Sequence, residues 1–366
     1  MGLVGVITFL TAFIGSLVLI VLTRKITRLI GLVDHPGERK VHQTPIPLGG
    51  GIAIFLGVFL TFLLAILAAY ILQQKHPAWA PAVIYQYLDG VFNTIPQLAV
   101  ILLGATVMFS LGLMDDIKGL NPWIKLLVQV LTALFLVFND ISFIFSPVKI
   151  ISVIITVLWI IGITNAFNLL DHMDGLCSGV LVVVSTIFLI IAFQTGQYFI
   201  AYFLLILIGA GAAFLIFNTN PASIFMGDAG SLFLGYMLAV LTILFTFYQE
   251  PYPIYSLATP LLVLAVPVFD TLMVLGIRIK NKKPLFKGDM NHLAHRLIKM
   301  GMTVREAVML IYLLTFCTGL SAVLLYQIKQ DTIFIGVLII FMQVIMVLAL
   351  ITLLENAGRK NKNTAD

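Results

Sequence analysis

The stretch KIISVIITVLWIIGITNAFNLLDHMDGLCSGVLVVVSTIFLIIAFQ, residues 149–194, joins two apolar runs through one short polar segment. The runs cover 148–164 and 176–194, and a helix needs about 20 apolar residues to cross the hydrocarbon core of a bilayer. The polar segment carries Asn168, Asp171 and Asp174. Because carboxylates are costly near lipid, a cluster of them at the end of an apolar span indicates a functional site.

The same pattern recurs along the whole chain, which is 61% hydrophobic and 10% charged, with a mean hydropathy of +1.10. Such a composition excludes an ordinary soluble domain. Within a bilayer the backbone hydrogen bonds of each span must be satisfied internally, so the spans are predicted to be helices. We therefore expect an all-α, polytopic integral membrane helical bundle, with residues 1–366 forming a single domain. About eleven transmembrane helices are predicted, at 3–23, 48–72, 96–114, 123–138, 148–164, 176–194, 198–217, 230–248, 256–279, 304–326 and 332–354.

Basic residues gather on the cytoplasmic side of membrane proteins, so their positions predict the orientation. Most of them follow the first span, surround the loop after the ninth or lie in the C-terminal tail. This places the N-terminus outside and the C-terminus in the cytoplasm. A nucleic-acid partner is not expected, because no basic patch is interleaved with aromatic residues. The loops predicted to share the cytoplasmic side are 24–47, 115–122, 165–175, 218–230 and 280–303.

Two acidic segments stand out among these loops. Asn168, Asp171 and Asp174 recur every third residue, which predicts one stripe on a helix, suited to a hard cation or to the polar groups of a ring-shaped ligand. Asp115 and Asp116 are adjacent and repel each other unless a cation or a lysine, such as Lys118 or Lys125, compensates. The alternative for both segments is a solvated helix end. The sequence Gly119, Asn121, Pro122 is typical of a helix break followed by a new helix start.

Two further segments contain residue types that suit phosphates and bases. Residues 218–230 place Phe225 near Asp228 among small residues and glycines, as a base stacked beside a metal-bound diphosphate requires; the alternative is a tight turn with a buried phenylalanine. His292, His295 and Arg296 lie in a lysine-rich loop and are candidates for binding phosphate oxygens; the alternative is a basic loop with incidental histidines.

The proline-rich loop 34–51 adds Lys40 and His42 as phosphate contacts. Asp270 lies inside a span and is expected to face the bundle and to pair with a neighbouring span.

With these residues the chain resembles the polyprenyl-phosphate N-acetylhexosamine-1-phosphate transferases. The resemblance covers residues 34 to 300 and is closest to the undecaprenyl-phosphate GlcNAc-1-phosphate transferase branch. It rests on five stretches in the family's order: PIPLGG (45–50), LGLMDDIKGLNPWIKLLVQ (111–129), NAFNLLDHMDGL (165–176), NTNPASIFMGDAGSLFLGY (218–236) and NHLAHRL (291–297).

The resemblance implies an Mg²⁺-dependent enzyme, with Mn²⁺ as a substitute, in the inner (cytoplasmic) membrane. It would transfer N-acetylhexosamine 1-phosphate, with GlcNAc favoured, from a UDP-sugar to undecaprenyl or another polyprenyl phosphate, releasing UMP by direct attack at the cytoplasmic face. A homodimer is a further expectation. By position, the catalytic residues would be Asp115, Asp116 and Asp171, and the metal ligands Asp228 and Asn168. The nucleotide-sugar contacts would be Asp174, Asn218, Phe225, His292, His295 and Arg296, and the lipid-phosphate contacts Lys125 and Lys40.

Three positions depart from the family pattern: His172 replaces a glycine, Ala294 a histidine and Leu48 an arginine. The first and third are expected to affect packing or loop charge, and the second bears on sugar specificity. Two alternative functions remain. One is transfer of phospho-MurNAc-pentapeptide, which belongs to the same superfamily. The other is ion-coupled transport, whose sites lie near the bilayer midplane in broken helices, unlike the acidic residues here.

Overall fold

The structure, a computed structural model, describes residues 2–36, 44–77, 82–143, 148–245, 258–284 and 290–325, with scattered positions between 334 and 349. These residues form twelve helices and two short strands. In chain order they are α1 (Gly2–Leu29), β1 (Val33–Asp34), β2 (Ile46–Pro47), α2 (Gly50–Lys75), α3 (Ala82–Lys118), α4 (Pro122–Phe138), α5 (Lys149–Leu170), α6 (Leu176–Gln194), α7 (Tyr198–Asn218), α8 (Gly227–Leu244), α9 (Thr259–Val263), α10 (Ala265–Lys280), α11 (Leu293–Lys299) and α12 (Val304–Leu325).

The expected all-α, polytopic membrane bundle is confirmed. Within the described part of the chain, eight helices are long and apolar enough to span a bilayer: α1, α2, α3, α5, α6, α7, α8 and α12. Helix α4 is also apolar, but with 17 residues it is shorter than these eight helices. The predicted span 332–354 lies mostly outside the described residues. The count of eleven spans and the orientation of the chain therefore stay predictions.

Two predicted spans differ from the structure. Helix α3 begins at Ala82 instead of near residue 96 and passes through Pro96. Polar residues such as Asp89 ended the predicted apolar span, but they do not end a helix that extends beyond the hydrocarbon core. The predicted span 256–279 is divided at Leu264 into the five-residue helix α9 and the 16-residue helix α10. A hydropathy pattern does not reveal a break whose flanking residues are all apolar.

Helix α8 lies at the centre of the bundle and is buried from Ala229 to Ile243. It packs most extensively against α3 and α5, and also against α2. Helix α7 packs between α1 and α6, and α12 lies against α6. Close contact between α8 and its neighbours depends on small residues, because a Cβ added to Gly51 would lie 2.3 Å from the backbone nitrogen of Gly230. The residues that begin α8 are therefore held in a fixed position.

Helix α4 is less enclosed and has two different faces. Its first turn is formed as predicted: Gly119 adopts a φ of +65° after α3 ends, and Asn121 caps α4 by accepting the backbone N–H of Trp123 at 2.9 Å. Gln129, Thr132 and Ala133 are buried against the bundle. The side chains of the opposite face, which are large and apolar, are exposed at Trp123, Ile124, Leu127 and Leu131.

Candidate functional site

The first part of the site is a triangle of charges formed by Asp115, Lys125 and Asp228. The Lys125 ammonium nitrogen lies 2.7 Å from Asp115 Oδ2 and 2.9 Å from Asp228 Oδ2. Asp115 lies in the last turn of α3, Lys125 in the first turn of α4, and Asp228 in the first turn of α8. The Asp115 carboxylate also accepts the N–H of Leu120 at 2.6 Å. Of the two lysines proposed to compensate the aspartate pair, Lys125 makes this contact and Lys118 is exposed.

The carboxylate of Asp116 contacts backbone groups of α8 instead of a lysine side chain. Its two carboxylate oxygens accept the backbone N–H groups of Asp228 at 2.8 Å and of Ala229 at 3.0 Å. These are N–H groups of the first turn of α8, which have no acceptor within their own helix. The adjacent aspartates of the sequence therefore make different contacts: Asp115 contacts a side-chain cation, and Asp116 contacts the backbone of the helix that carries Asp228.

The predicted stripe of Asn168, Asp171 and Asp174 on one helix is wrong. Helix α5 ends at Leu170, Asp171 is its C-cap and Asp174 lies in the following turn, which Gly175 closes with a φ of +77°. The spacing of three residues continues past the end of the helix, where it no longer implies a shared face. Asn168 remains on the helix and donates to the hydroxyl of Ser231 on α8 at 3.0 Å.

Asp171 is nevertheless close to the other acidic residues. Its carboxylate accepts the N–H of Gly227, directly before Asp228. Burial raises the pKa of Asp171 well above its ordinary value, and the negative charges of Asp228 and Asp116 raise it further. Negative charge from three helices thus accumulates at the same end of the bundle.

Asp174 and Asn218 hold two loops together. Asp174 Oδ2 accepts the side-chain amide of Asn220 at 2.9 Å and the backbone N–H of Ala222 at 3.0 Å. Asn218 is buried, accepts the N–H of Gly175 at 2.9 Å and donates to the carbonyl of Ile224 at 3.0 Å. The polar atoms of Asn218 are thus bonded to backbone groups. The nucleotide-sugar contacts expected of Asp174 and Asn218 stay predictions.

The proline-rich loop lies beside this site, as predicted, in its described part. Strand β2 pairs with β1, and Leu48 forms a bridge with Phe225. The N–H of Phe225 donates to the carbonyl of Pro47 at 2.9 Å, and the N–H of Gly50 donates to the carbonyl of Phe225 at 2.9 Å. Phe225 is only partly buried, so part of its ring remains accessible. Lys40 and His42 lie outside the described residues.

The histidine segment forms a separate, buried cluster. His295 and Arg296 lie on the short helix α11, so the predicted loop is wrong for these two residues, and His292 directly precedes the helix. His292 Nδ1 lies 2.9 Å from Asp270 Oδ2, and Asp270 Oδ1 accepts the N–H of Leu293 at 2.6 Å. Asp270 does face the bundle, but it pairs with the segment that begins α11 instead of with a neighbouring span.

His172 connects this cluster to the acidic end, which is the end of the bundle that carries Asp115, Asp116, Asp171 and Asp228. Its ring stacks on His292 with 4.4 Å between ring centroids and lies 4.7 Å from the ring of His295. Its Nδ1 is 2.7 Å from the carbonyl oxygen of Leu169, which fixes Nδ1 as the protonated nitrogen of the neutral ring. Burial, and to a smaller extent the charge of His292, lower the pKa of His172 to about 3. His172 is therefore neutral near pH 7.

Comparisons with known proteins identify the family. Residues 98–246 match the family model described as glycosyl transferase family 4. The chain is 34% identical over 354 residues to a Bacillus subtilis (strain 168) protein named as a probable undecaprenyl-phosphate N-acetylglucosaminyl 1-phosphate transferase, covering 93% of this chain and 90% of the relative. This chain belongs to the polyprenyl-phosphate N-acetylglucosamine-1-phosphate transferases. The expected family and branch are thus confirmed.

Other relatives in this family carry similar names. A decaprenyl-phosphate N-acetylglucosaminephosphotransferase of Mycobacterium tuberculosis (strain ATCC 25618 / H37Rv) is 32% identical over 320 residues, covering 79% of this chain and 74% of the relative. An undecaprenyl-phosphate alpha-N-acetylglucosaminyl 1-phosphate transferase of Yersinia pestis is 28% identical over 315 residues, covering 82% and 79%. Each match extends well beyond the acidic segments.

The acidic end of this transferase has the right ligand type for a hard divalent cation, but its described side chains are not arranged around a common point. Carboxylate and amide oxygens suit Mg²⁺, and a cation would offset the negative charges of Asp228 and Asp116 that act on Asp171. However, no three histidine, cysteine, aspartate or glutamate side chains of the described residues surround a common point. Lys125 supplies the positive charge between Asp115 and Asp228 instead.

Sequence reasoning missed several supporting residues of the candidate site. Gln129 and Asn165 bond through their amides, with 2.6 Å between Asn165 Nδ2 and Gln129 Oε1, and so join α4 to α5. Ser231 contacts Asn168, and Arg305 donates to the carbonyl of Asn220 at 2.6 Å. The sequence could have indicated two of these residues through helical spacing. Gln129 follows Lys125 by one turn and Ser231 follows Asp228 by nearly one turn, so each is expected on the same face of its helix as a predicted site residue.

Proposed function

We propose that this chain transfers N-acetylglucosamine 1-phosphate from a UDP-sugar to a polyprenyl phosphate, releasing UMP, with Mg²⁺ as cofactor. The observation that carries the proposal is the triangle of Asp115, Lys125 and Asp228, with Asp171 beside it, at one end of a membrane-spanning bundle. Two phosphorylated substrates repel each other, so a site that joins them needs both positive charge and ligands for a cation. The similarity of the chain to the Bacillus subtilis relative, which covers 93% of this chain, supports the same activity.

In the proposed reaction, an oxygen of the lipid phosphate attacks the phosphorus attached to the sugar. The bond from that phosphorus to the bridging oxygen of the diphosphate breaks, and UMP leaves with the bond's electron pair. Lys125 would neutralise the lipid phosphate, and Asp115 would orient Lys125 through their 2.7 Å contact. The ring of the partly buried Phe225 would stack on the uracil.

Asp228 and Asn168, with Asp171 beside them, would hold Mg²⁺ through their side-chain oxygens. When bound, the cation offsets the charge of the diphosphate and of the departing UMP. The chain's own contribution is to hold these oxygens on rigid helices: Asn168 is fixed by Ser231, and Asp228 stands at the start of the buried helix α8.

We further propose that the site faces the cytoplasm, in the inner membrane. Basic residues lie at the same end of the bundle as the acidic ones, which the positive-inside tendency assigns to the cytoplasm. Arg24 at the end of α1 donates to Ser223 at 3.2 Å, and Arg305 donates to Asn220. Both arginines thus contact the loop that precedes Asp228. The homodimer stays a prediction.

The activity is tested with purified protein, polyprenyl phosphate and either UDP-GlcNAc or UDP-MurNAc-pentapeptide, with UMP release as the readout. We expect UMP from UDP-GlcNAc, dependent on the lipid and lost when EDTA removes divalent cations. Release from the pentapeptide donor alone would replace the proposed donor by the alternative of the same superfamily. Lipid-independent movement of ions without UMP release, measured in proteoliposomes, would favour the transporter.

A further inference from the structure

The two aspartates of the acidic pair accept hydrogen bonds from separate donors. Asp115 contacts the ammonium of Lys125 at 2.7 Å and the N–H of Leu120 at 2.6 Å. Both oxygens of Asp116 are used by the backbone N–H groups of Asp228 and Ala229, at 2.8 and 3.0 Å. Asp116 thus acts as an N-cap supplied by another helix, since the residue before α8, Met226, makes no side-chain capping bond.

The close approach of α3 to the start of α8 explains why this cap is held in place. A Cβ added to Gly112, one turn before Asp116, would lie 2.2 Å from the carbonyl oxygen of Asp228. A Cβ added to Gly227 would lie 2.5 Å from Asp116 Oδ2. Glycine at both positions lets the Asp116 carboxylate reach the first turn of α8, where negative charge also interacts favourably with the helix dipole.

The cap acts directly on Asp228. The N–H that Asp116 accepts at 2.8 Å belongs to Asp228 itself, so this bond fixes the backbone from which the Asp228 carboxylate projects toward Lys125. A change at Asp116 therefore alters the position of the Asp228 carboxylate without removing any group that faces Lys125.

We infer that Asp116 is a positioning residue that orients Asp228 by capping α8, and that Asp115 is the member of the pair that faces the reacting phosphates. The inference rests on the proposed function for its activity readout. It divides between two residues the roles that the sequence left undivided, and it makes a distinctive prediction. At position 116 an asparagine keeps one of the two acceptor oxygens and therefore part of the cap, whereas an alanine keeps neither.

The test compares Asp116→Asn, Asp116→Ala and Asp115→Asn with the wild-type protein. Asparagine retains one of the two oxygens that cap α8, so Asp116→Asn is expected to lose less turnover at saturating Mg²⁺ than Asp116→Ala or Asp115→Asn. Asp116→Ala is expected to lose about 10- to 100-fold in activity or in affinity for the cation, as when a supporting contact of a metal ligand is removed. Asp115→Asn is expected to lose turnover at every Mg²⁺ concentration.

A second readout does not depend on turnover. The rise in melting temperature caused by Mg²⁺ is measured in detergent for each variant, and its midpoint is expected at the highest Mg²⁺ concentration for Asp116→Ala. If Asp116→Asn loses as much turnover as Asp115→Asn while it folds and responds to Mg²⁺ normally, the inference is wrong. If the wild-type protein itself releases no UMP from UDP-GlcNAc, the proposed function fails, and the Mg²⁺ midpoints alone decide the role of Asp116.

Discussion

The acidic end and the histidine cluster both contain carboxylates paired with positively charged or ionisable groups, but they differ in exposure. The side chains of Asp115, Lys125 and Asp228 are 15%, 20% and 28% exposed. Those of Asp270 and His292 are 5% and 4% exposed. The first set is reachable by a ligand, whereas the second is enclosed.

The pairings differ in the same sense. Both oxygens of Asp270 are bonded, to His292 and to the backbone N–H of Leu293. At the acidic end, one flexible lysine serves two carboxylates. An enclosed pair whose bonds are complete stabilises the fold, since removing one partner leaves a buried polar group unpaired. In an accessible site, a lysine that two carboxylates share can also contact a phosphate of a substrate. We therefore expect changes at the acidic end to reduce turnover and changes in the histidine cluster to reduce stability.

The largest effect is expected for Asp228→Asn. Removing one charge from the acidic end should lower the rate of UMP release by about 100- to 1,000-fold, as for the loss of one electrostatic group in a preorganised site, with little change in melting temperature. The matched control is Asp89→Asn, which makes the same substitution at an exposed position near the other end of α3. Normal turnover of Asp228→Asn would contradict the assignment of the site.

A smaller loss is expected for Lys125→Met, which keeps the length of the side chain and removes its charge. Asp115 and Asp228 then lose their shared partner, and we expect about a 10- to 100-fold loss of turnover, chiefly as a higher KM for the lipid phosphate. Lys118→Met, at an exposed lysine of the neighbouring turn, serves as the control. An equal loss in both variants would show that the contact with Asp115 and Asp228 is not responsible.

Asp270→Asn is expected to act on stability. The amide retains one acceptor for Leu293 and loses the charge that pairs with His292, so the free energy of unfolding should fall by about 1–3 kcal/mol. Thermal unfolding in detergent measures this loss, and the turnover of the protein that remains folded should stay within a few-fold of wild type. A large loss of turnover in fully folded protein would show that the histidine cluster contacts substrate.

The smallest effect is expected for His172→Phe, which keeps a ring against His292 and His295. Stability of the wild-type protein should decrease as pH falls below about 6.5, the ordinary pKa of histidine, because the unfolded chain binds a proton that His172, with a pKa of about 3, does not bind when folded. In His172→Phe this contribution is absent, so its melting temperature should change less between pH 7 and pH 5. His292, His295 and Asp270 face the same ring and are retained in both proteins, so they do not account for a difference between them. Parallel curves of melting temperature against pH for the two proteins would contradict the prediction.

The sequence predicted the convergence of the polar segments better than their local structure. Apolar spans of the right length force the intervening loops to the two ends of a bundle, so the meeting of Asp115, Asp228 and Asp171 follows from topology. The stripe on α5 failed, because periodicity does not show where a helix stops. The bond from Asp116 to the backbone of α8 could not be predicted either, since it depends on how closely glycines allow two distant helices to approach.

The histidine cluster shows a second limit of sequence reasoning. Lysines surround His292 and His295 in the chain, which favours an open basic loop. The structure encloses these histidines because Asp270, over twenty positions earlier, supplies a buried partner. A residue's exposure is decided by its three-dimensional partners, and neighbouring charges in the sequence are a poor guide to it.

The two faces of α4 have a consequence for how the enzyme must be assayed. Lys125 points toward the acidic end, while Trp123, Ile124, Leu127 and Leu131 on the same helix are exposed on the outside of the bundle. With Lys125 as the proposed contact of the lipid phosphate, a carrier lipid would present its head group there while its tail stays dissolved in the membrane. The relevant quantity is then a surface density, and the apparent saturation of the enzyme should follow the mole fraction of carrier in the micelle or vesicle and not its concentration in the bulk solution.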